Sequence, residues 1–146
     1  PSAASADKED PTSHLFMHFA KVSGCGSHVT VNQYPFITAD PAECRRRAKA
    51  AWNGEWYDRD ALHENLDIVA KHAKAAQFVV ACWGALAQDD EWTEEICEAI
   101  TCGEEPWPDI HCLGTTLSGA PKHPLARGHH RIPRDQKLIV WRSANA

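Results

Sequence analysis

The chain has no long apolar run. None of its 146 residues belong to a stretch approaching the roughly 18 apolar positions a spanning helix needs, so a soluble chain with no membrane partner is expected. Nor does it have a C-x-x-C pair. Its cysteines stand apart at 25, 44, 82, 97, 102 and 112, and Cys82 and Cys112 fall inside strand-like apolar runs. That pattern argues against a zinc site or a disulfide frame and for reduced, packed thiols in a cytoplasmic protein. There is no Walker loop, no G-x-G-x-x-G and no G-x-S-x-G, which removes the usual grounds for triphosphate hydrolysis, dinucleotide binding and α/β-hydrolase chemistry. The opening PSAASADKED has neither a basic start nor an apolar stretch and is no secretory signal. Because the first residue is Pro1 rather than Met, the natural N-terminus is expected to lie upstream.

Basic residues are missing from one long segment and crowded into another. Residues 84 to 110 hold nine acidic side chains and no Lys or Arg, whereas 121 to 142 carry Lys122, Arg127, Arg131, Arg134, Lys137 and Arg142 against Asp135 alone. The basic stretch, next to His123, His129 and His130, suits phosphate, because Lys and Arg supply most of the affinity for nucleic-acid backbones. The plainer alternative is that it neutralises the acidic segment across the surface. With 43% hydrophobic and 24% charged residues the composition is that of an ordinary globular chain, and one domain over 1–146 is expected to remove roughly 70% of its unfolded surface from water.

Periodicity supplies the elements. Asp10 and Pro11 cap and open a helix with Leu15, Phe16, Phe19 and Ala20 on one face, stopped by Gly24. HVTVNQY, with Val29 and Val31 alternating against polar neighbours, predicts a strand. Asp40 and Pro41 begin a basic helix whose Arg45, Arg46, Arg47 and Lys49 read as a solvated face. Leu62, Leu66, Val69, Ala70 and Ala73 place a helix over 60–76, and Phe78 to Trp83, apolar without alternation, predicts an interior parallel strand covered on both faces. Trp92, Ile96, Ala99 and Ile100 mark another helix with Asp89, Asp90 and Glu91 at its start, followed by strand candidates DIHCL and KLIVW. This alternation predicts a three-layer α/β/α sandwich around a mostly parallel sheet.

In such sheets the loops leaving the carboxyl ends of the strands line the ligand crevice, here the loops from Asn32, from Trp83-Gly84 and from Gly114. In the third, HCLGTTLSGAPKHP, Ser118 and Gly119 suit a tight turn, and Pro121 and Pro124 stiffen the backbone around His123. A rigid loop can aim an imidazole, which as donor, acceptor or cation suits anion binding or general-acid work; a surface histidine without a task is the plain alternative. Trp83 at a strand end could stack on a base, worth about 1–3 kcal/mol, against the commoner fate of core packing. Trp52, Trp56, Trp92, Trp107 and Trp141 read as packing or loop anchors. His14 and His18 lie four apart on the first helix but lack the acid of H-E-x-x-H, so no metal or cofactor is expected.

The runs PSAASADKEDPT, VTVNQYPF, VVACWGALA, HCLGTTLSGAPKHPL and LIVW resemble the bacterial and phage proteins of domain-of-unknown-function family 1643. The resemblance implies no activity. It does imply a strand ending in Leu-Asn immediately before Pro1-Ser2, so the first family strand is expected to be missing from this chain, leaving the sheet one member short. A Pro-containing first loop, Asn closing a strand, Trp-Gly closing the next and His-Pro in a late loop are also similar in order to the motifs of the uracil-DNA glycosylase superfamily. That remoter likeness implies base flipping and glycosidic hydrolysis. Asn32 would read the base edge, Trp83 and Gly84 would line the pocket and His123 would stabilise charge on the leaving base, while the catalytic carboxylate or amide of the first motif has no clear match.

The leading reading is thus a nucleobase or nucleotide pocket formed by Ser2, Asn32, Trp83, Gly84 and His123, with hydrolysis or transfer at a base as the reaction class if it is an enzyme. A noncatalytic module holding a phosphate-bearing ligand or nucleic acid through Lys122, Arg127 and Arg131 is the alternative. A third reading is an assembly of copies, a homodimer in the simplest case, through the acidic helix and basic tail.

Overall fold

Two aspartates set where helices begin. Asp40 and Asp89 each end an extended stretch and turn a carboxylate back onto the first N–H groups of the following turn, Asp40 Oδ1 accepting from Ala42 N at 2.9 Å and Asp89 Oδ1 from Trp92 N at 3.2 Å. The computed structural model describes residues 11–38, 40–54, 56–102 and 105–144, with backbone only at 56 and 57. Among these the order is α1 (Pro11–Val22), α2 (Pro41–Trp52), α3 (Trp56–Ala75), β1 (Val79–Ala81), α4 (Asp90–Thr101), β2 (Ile110–Cys112), a 3-10 turn (Gly128–His130) and β3 (Ile139–Arg142). The fold is mixed α/β, and its described residues fall into two compact units. No helix among them is long and apolar enough to cross a membrane.

The helical unit comprises Val31–Gln77 and Leu86–Pro108. Its α3 packs against both α2 and α4, burying Leu62, Val69 and Ala73 from the predicted stripe together with Asn65, which the stripe did not include. α4 buries Trp92, Ile96 and Ile100 as its periodicity predicts, and Thr93 and Cys97 beside them. The arginines of α2 are more than a solvated face. Arg45 donates to the Leu86 carbonyl, and Arg47 makes a bidentate pair with Asp58 at 2.8 and 2.6 Å while lying 4.1 Å over the Phe36 ring.

The Arg47 hydrogen bonds hold the Asp58 carboxyl below its ordinary value, outweighing the opposing effect of burial. A lowered folded-state pKa contributes stability that is present above the unfolded value, about 4, and is lost as pH falls through the folded one. Asp58→Asn is therefore expected to flatten the acid limb of the stability curve between about pH 5 and pH 2. The effect should stay under about 1 kcal/mol, because water screens this partly exposed pair. Denaturant midpoints of the two proteins across that range measure it, and parallel curves would show the pair to be inert.

The strand predicted at 28–34 does not form. Val29 is 67% exposed and Val31 38%, and the backbone acceptors a sheet neighbour would use are occupied by side chains. Asn65 Nδ2 donates to the carbonyls of Asn32 and Gln33, each at 3.2 Å, and Trp92 Nε1 donates to that of Gln33 at 2.9 Å. Tyr34 and Phe36 are then buried as loop residues, with the Tyr34 hydroxyl donating to Ala87 O at 3.1 Å.

The sheet unit holds α1 and the chain following it to Thr30, Phe78–Ala85, and the chain from Asp109 onward. Its strands run in the order β1-β2-β3, β1 parallel to β2 and β3 antiparallel to β2, with an irregularity at Ile110/His111. Pairing Val79 with Ile110 and Ala81 with Cys112 puts Ile110, Cys112 and Ala81 on a buried side. Phe78 to Trp83 is not an interior strand among the described residues: β1 stands at the end of the sheet order, and Val80 is 37% exposed. Of the run only Ala81 is buried, Val80 being exposed and the rest half-buried, so its apolar character reports partial cover and not a neighbour on both edges. Helix α1 contributes Phe19 and Leu15 to a cluster with Leu113, Ile132 and Leu138. Lys137 Nζ donates to the Val22 carbonyl at the end of α1, and His18 Nε2 pairs with Arg134 O at 2.7 Å.

Candidate functional site

β1 and β2 run the same way, so the loops leaving Ala81 and Cys112 emerge from the same edge of the sheet. The second loop is a β-hairpin. Lys122 N donates to Gly114 O at 2.9 Å, Thr116 N to Ala120 O at 2.8 Å and Gly119 N to Thr116 O at 3.0 Å, with Thr115 and Pro121 bridged. Gly119, at φ 82°, takes the left-handed position that follows the turn in such three-residue loops. Trp141 of β3 fastens the tip, its Nε1 donating to Gly119 O at 3.0 Å.

The hairpin returns onto the end of β1. Gly84 N donates to Pro121 O at 2.9 Å, and the place a Gly84 Cβ would occupy lies 3.2 Å from the His123 Cβ. Gly84 has φ 80°, so both its conformation and its neighbour call for glycine. His123 is oriented in turn: Leu125 N donates to its Nδ1 at 3.1 Å, and Ala126 N to its carbonyl at 2.8 Å. A ring nitrogen that accepts an N–H keeps its lone pair, so the proton of the neutral ring sits on Nε2. Lys122 runs along Gly114, with its Cδ 3.6 Å and its Nζ 3.9 Å from where a Cβ would stand.

Two thiols share this edge. Burial pushes the Cys82 thiol up to about 12, with Cys112 adding to the rise. The Cys112 thiol is also raised, burial outweighing the Gly114 N–H that points at its sulfur and the attraction of Lys122. Both stay protonated near neutrality and neither is a ready nucleophile.

Of the residues read from the sequence as a site, the structure brings Gly84, Lys122 and His123 together, with the half-buried Trp83 next in the chain to Gly84. Arg127 and Arg131 are exposed and flank the 3-10 turn. Asn32 belongs to the helical unit, where its side chain is exposed and its carbonyl is held by Asn65; Ser2 lies outside the described residues. A cleft in the helical unit, lined by Lys49, Trp52, Asp89, Trp92 and Glu95, encloses about 20 Å³, room for one water molecule and no organic ligand. No group of three His, Cys, Asp or Glu among the described residues is arranged to hold a metal.

The sequence pattern of DUF1643, "Protein of unknown function", matches residues 1–125. The chain belongs to this family. No curated protein and no solved structure matches it. The DUF1643 match takes in both loops at the carboxyl edge, Trp83-Gly84 and the hairpin through His123, and ends before Arg127, Arg131 and β3. Trp141, which ties down the hairpin, therefore lies beyond the matched segment. Its sequence reads as a packing or loop anchor, but which loop it anchors does not show there, because the bond to Gly119 depends on a register that no local pattern carries.

Proposed function

We propose that the carboxyl edge of β1 and β2 binds a nucleobase- or nucleotide-class ligand, with the His123 Nε2–H and the Lys122 ammonium as its polar contacts. The close seating of His123 on Gly84 carries this reading. Local hydrogen bonds fix the ring's turn, a missing Cβ lets it approach the strand end, and its tautomer makes Nε2 a donor. Hydrolysis or transfer at a base is the chemistry these groups would serve. A departing base gathers negative charge on its ring, and a donor and a cation fixed in advance stabilise it without reorganising. The finer architecture, a three-layer α/β/α sandwich around a mostly parallel sheet, belongs to the same reading. It is supported by the parallel β1–β2 pair and by the outer edge of β1, which has no partner strand among the described residues.

The second reading, a noncatalytic phosphate or nucleic-acid site, is favoured by one observation: the Lys122 side chain runs along Gly114 at the carboxyl edge, and exposed Arg127 and Arg131 follow in the same unit. Calorimetric titration with uracil, uridine and uridine 5′-monophosphate at low and high salt tests both. Binding of the base or nucleoside that falls at least about tenfold in His123→Ala is expected for the first reading. Binding confined to the nucleotide and falling steeply with salt supports the second. Failure of all three to bind removes both.

A further inference from the structure

We infer that Trp83 is a specificity-determining residue of this site, donating its indole N–H to an acceptor oxygen of the ligand. The inference rests on the ligand reading above and replaces the stacking role expected from the sequence. Three indoles, one buried and two half-buried, can be compared. Trp92 Nε1 donates to Gln33 O at 2.9 Å and Trp141 Nε1 to Gly119 O at 3.0 Å, whereas Trp83 Nε1 is enclosed and has no hydrogen-bond partner. An N–H withdrawn from water with no acceptor is destabilising, and a group left so calls for an explanation.

The other buried atoms in this position among the described residues are Gln33 Oε1, Gln88 Oε1 and His111 Nδ1. Turning over the Gln33 amide or moving the His111 ring proton changes what those two atoms require, while the Gln88 amide is held by its Nε2 bond to Asp90 Oδ1 at 3.2 Å. An indole has one N–H and no alternative form, so only an incoming acceptor satisfies it. Gln33 and Gln88 belong to the helical unit, and His111 stands in the middle of β2 with its ring perpendicular to Phe78. Trp83 is the one at the carboxyl edge, beside the glycine on which His123 rests.

Its ring plane is fixed as well. Trp141 packs against it at 5.4 Å and 83°, and Trp141 is itself anchored through Gly119. Two N–H donors, Trp83 Nε1 and His123 Nε2, thus belong to residues linked to the hairpin in different ways, Trp83 through Trp141 and His123 as its returning end. A ligand offering carbonyl or phosphate oxygens matches them; an apolar ring or a cation does not.

The test uses the full chain with ¹⁵N-labelled tryptophan and histidine, titrated with uracil and, separately, with inorganic phosphate. Trp83→Phe, which keeps an aromatic ring and loses the donor, identifies the resonance. The expected result is a downfield shift of the Trp83 indole proton together with a change at the His123 ring, and binding about tenfold weaker in Trp83→Phe. A response to uracil assigns the acceptor to a ring carbonyl, and a response to phosphate alone assigns it to a phosphate oxygen. If the His123 ring responds while the Trp83 indole does not move, the inference is overturned and the ligand reading stands. If neither responds to either probe, both are overturned. Where Trp83→Phe does not fold, Trp→Phe variants of the other five tryptophans assign their indole resonances and leave that of Trp83 by elimination, so the wild-type shift still decides the matter.

Discussion

Trp92→Ala is expected to destabilise the protein by about 3–5 kcal/mol, the largest effect of any single truncation proposed for it. The ring is 4% exposed at the start of α4 and does three things there. It packs at 6.2 Å against Tyr34 and at 6.0 Å against Trp52, and its N–H serves the Gln33 carbonyl. Alanine leaves a cavity among rings that cannot collapse far, because Tyr34 is pinned through its hydroxyl to Ala87. Trp92→Phe separates packing from hydrogen bonding. It should cost roughly 1–2 kcal/mol, since Asn65 still donates to the Gln33 carbonyl. Guanidinium unfolding gives both numbers, and amide exchange gives a third reading, with protection across 31–36 falling in Trp92→Ala. A loss under about 1 kcal/mol would mean that the indole is not what holds this segment.

That segment also shows where the sequence stops being informative. Val29 and Val31 alternate as a half-buried strand should, but a strand needs a neighbour, and the carbonyls of Asn32 and Gln33 are taken by Asn65 and Trp92, about thirty and sixty residues away. No window around Val31 contains those partners. The helices were legible because their signals are local: Asp40 and Asp89 cap the turns that follow them, and Leu62, Val69 and Ala73 recur at helical spacing. Asn65 escaped notice because a polar residue on the apolar face looks like an interruption of it.

The direction of β3 was open to inference. Parallel neighbours need a crossover of a dozen or more residues, usually a helix. Between β2 and β3 the chain has only the hairpin, a turn and the 3-10 turn, and no helical period. That lack favours an antiparallel return, which the structure contains. In the candidate site the Ser118-Gly119 turn was legible from residue type, as was the stiffness given by two prolines. The approach of Lys122 to Gly114 and the Trp141 anchor were not, because each joins residues through a register set by the whole sheet unit.

Gly84→Ala is expected to cost roughly 2–4 kcal/mol, the sum of two effects that can be measured apart. A Cβ at φ 80° is strained by about 1–2 kcal/mol wherever it occurs, and here it would also stand 3.2 Å from the His123 Cβ. Gly24 supplies the reference: it has the same φ of 80°, lies in the same unit and has nothing within 4 Å of its missing Cβ. Gly24→Ala therefore measures conformation alone, and the excess at Gly84 measures the contact with the hairpin. His123→Gly removes the atom that would be struck, so the double variant Gly84→Ala/His123→Gly should recover the excess and leave only the conformational part. Equal losses at Gly24 and Gly84 would mean that the hairpin gives way easily. An imidazole held on so yielding a support could not be aimed at a ligand. A clear excess, by contrast, would show that the strand end and the histidine are packed as one rigid piece, which is the mechanical condition for fixing Nε2 in advance.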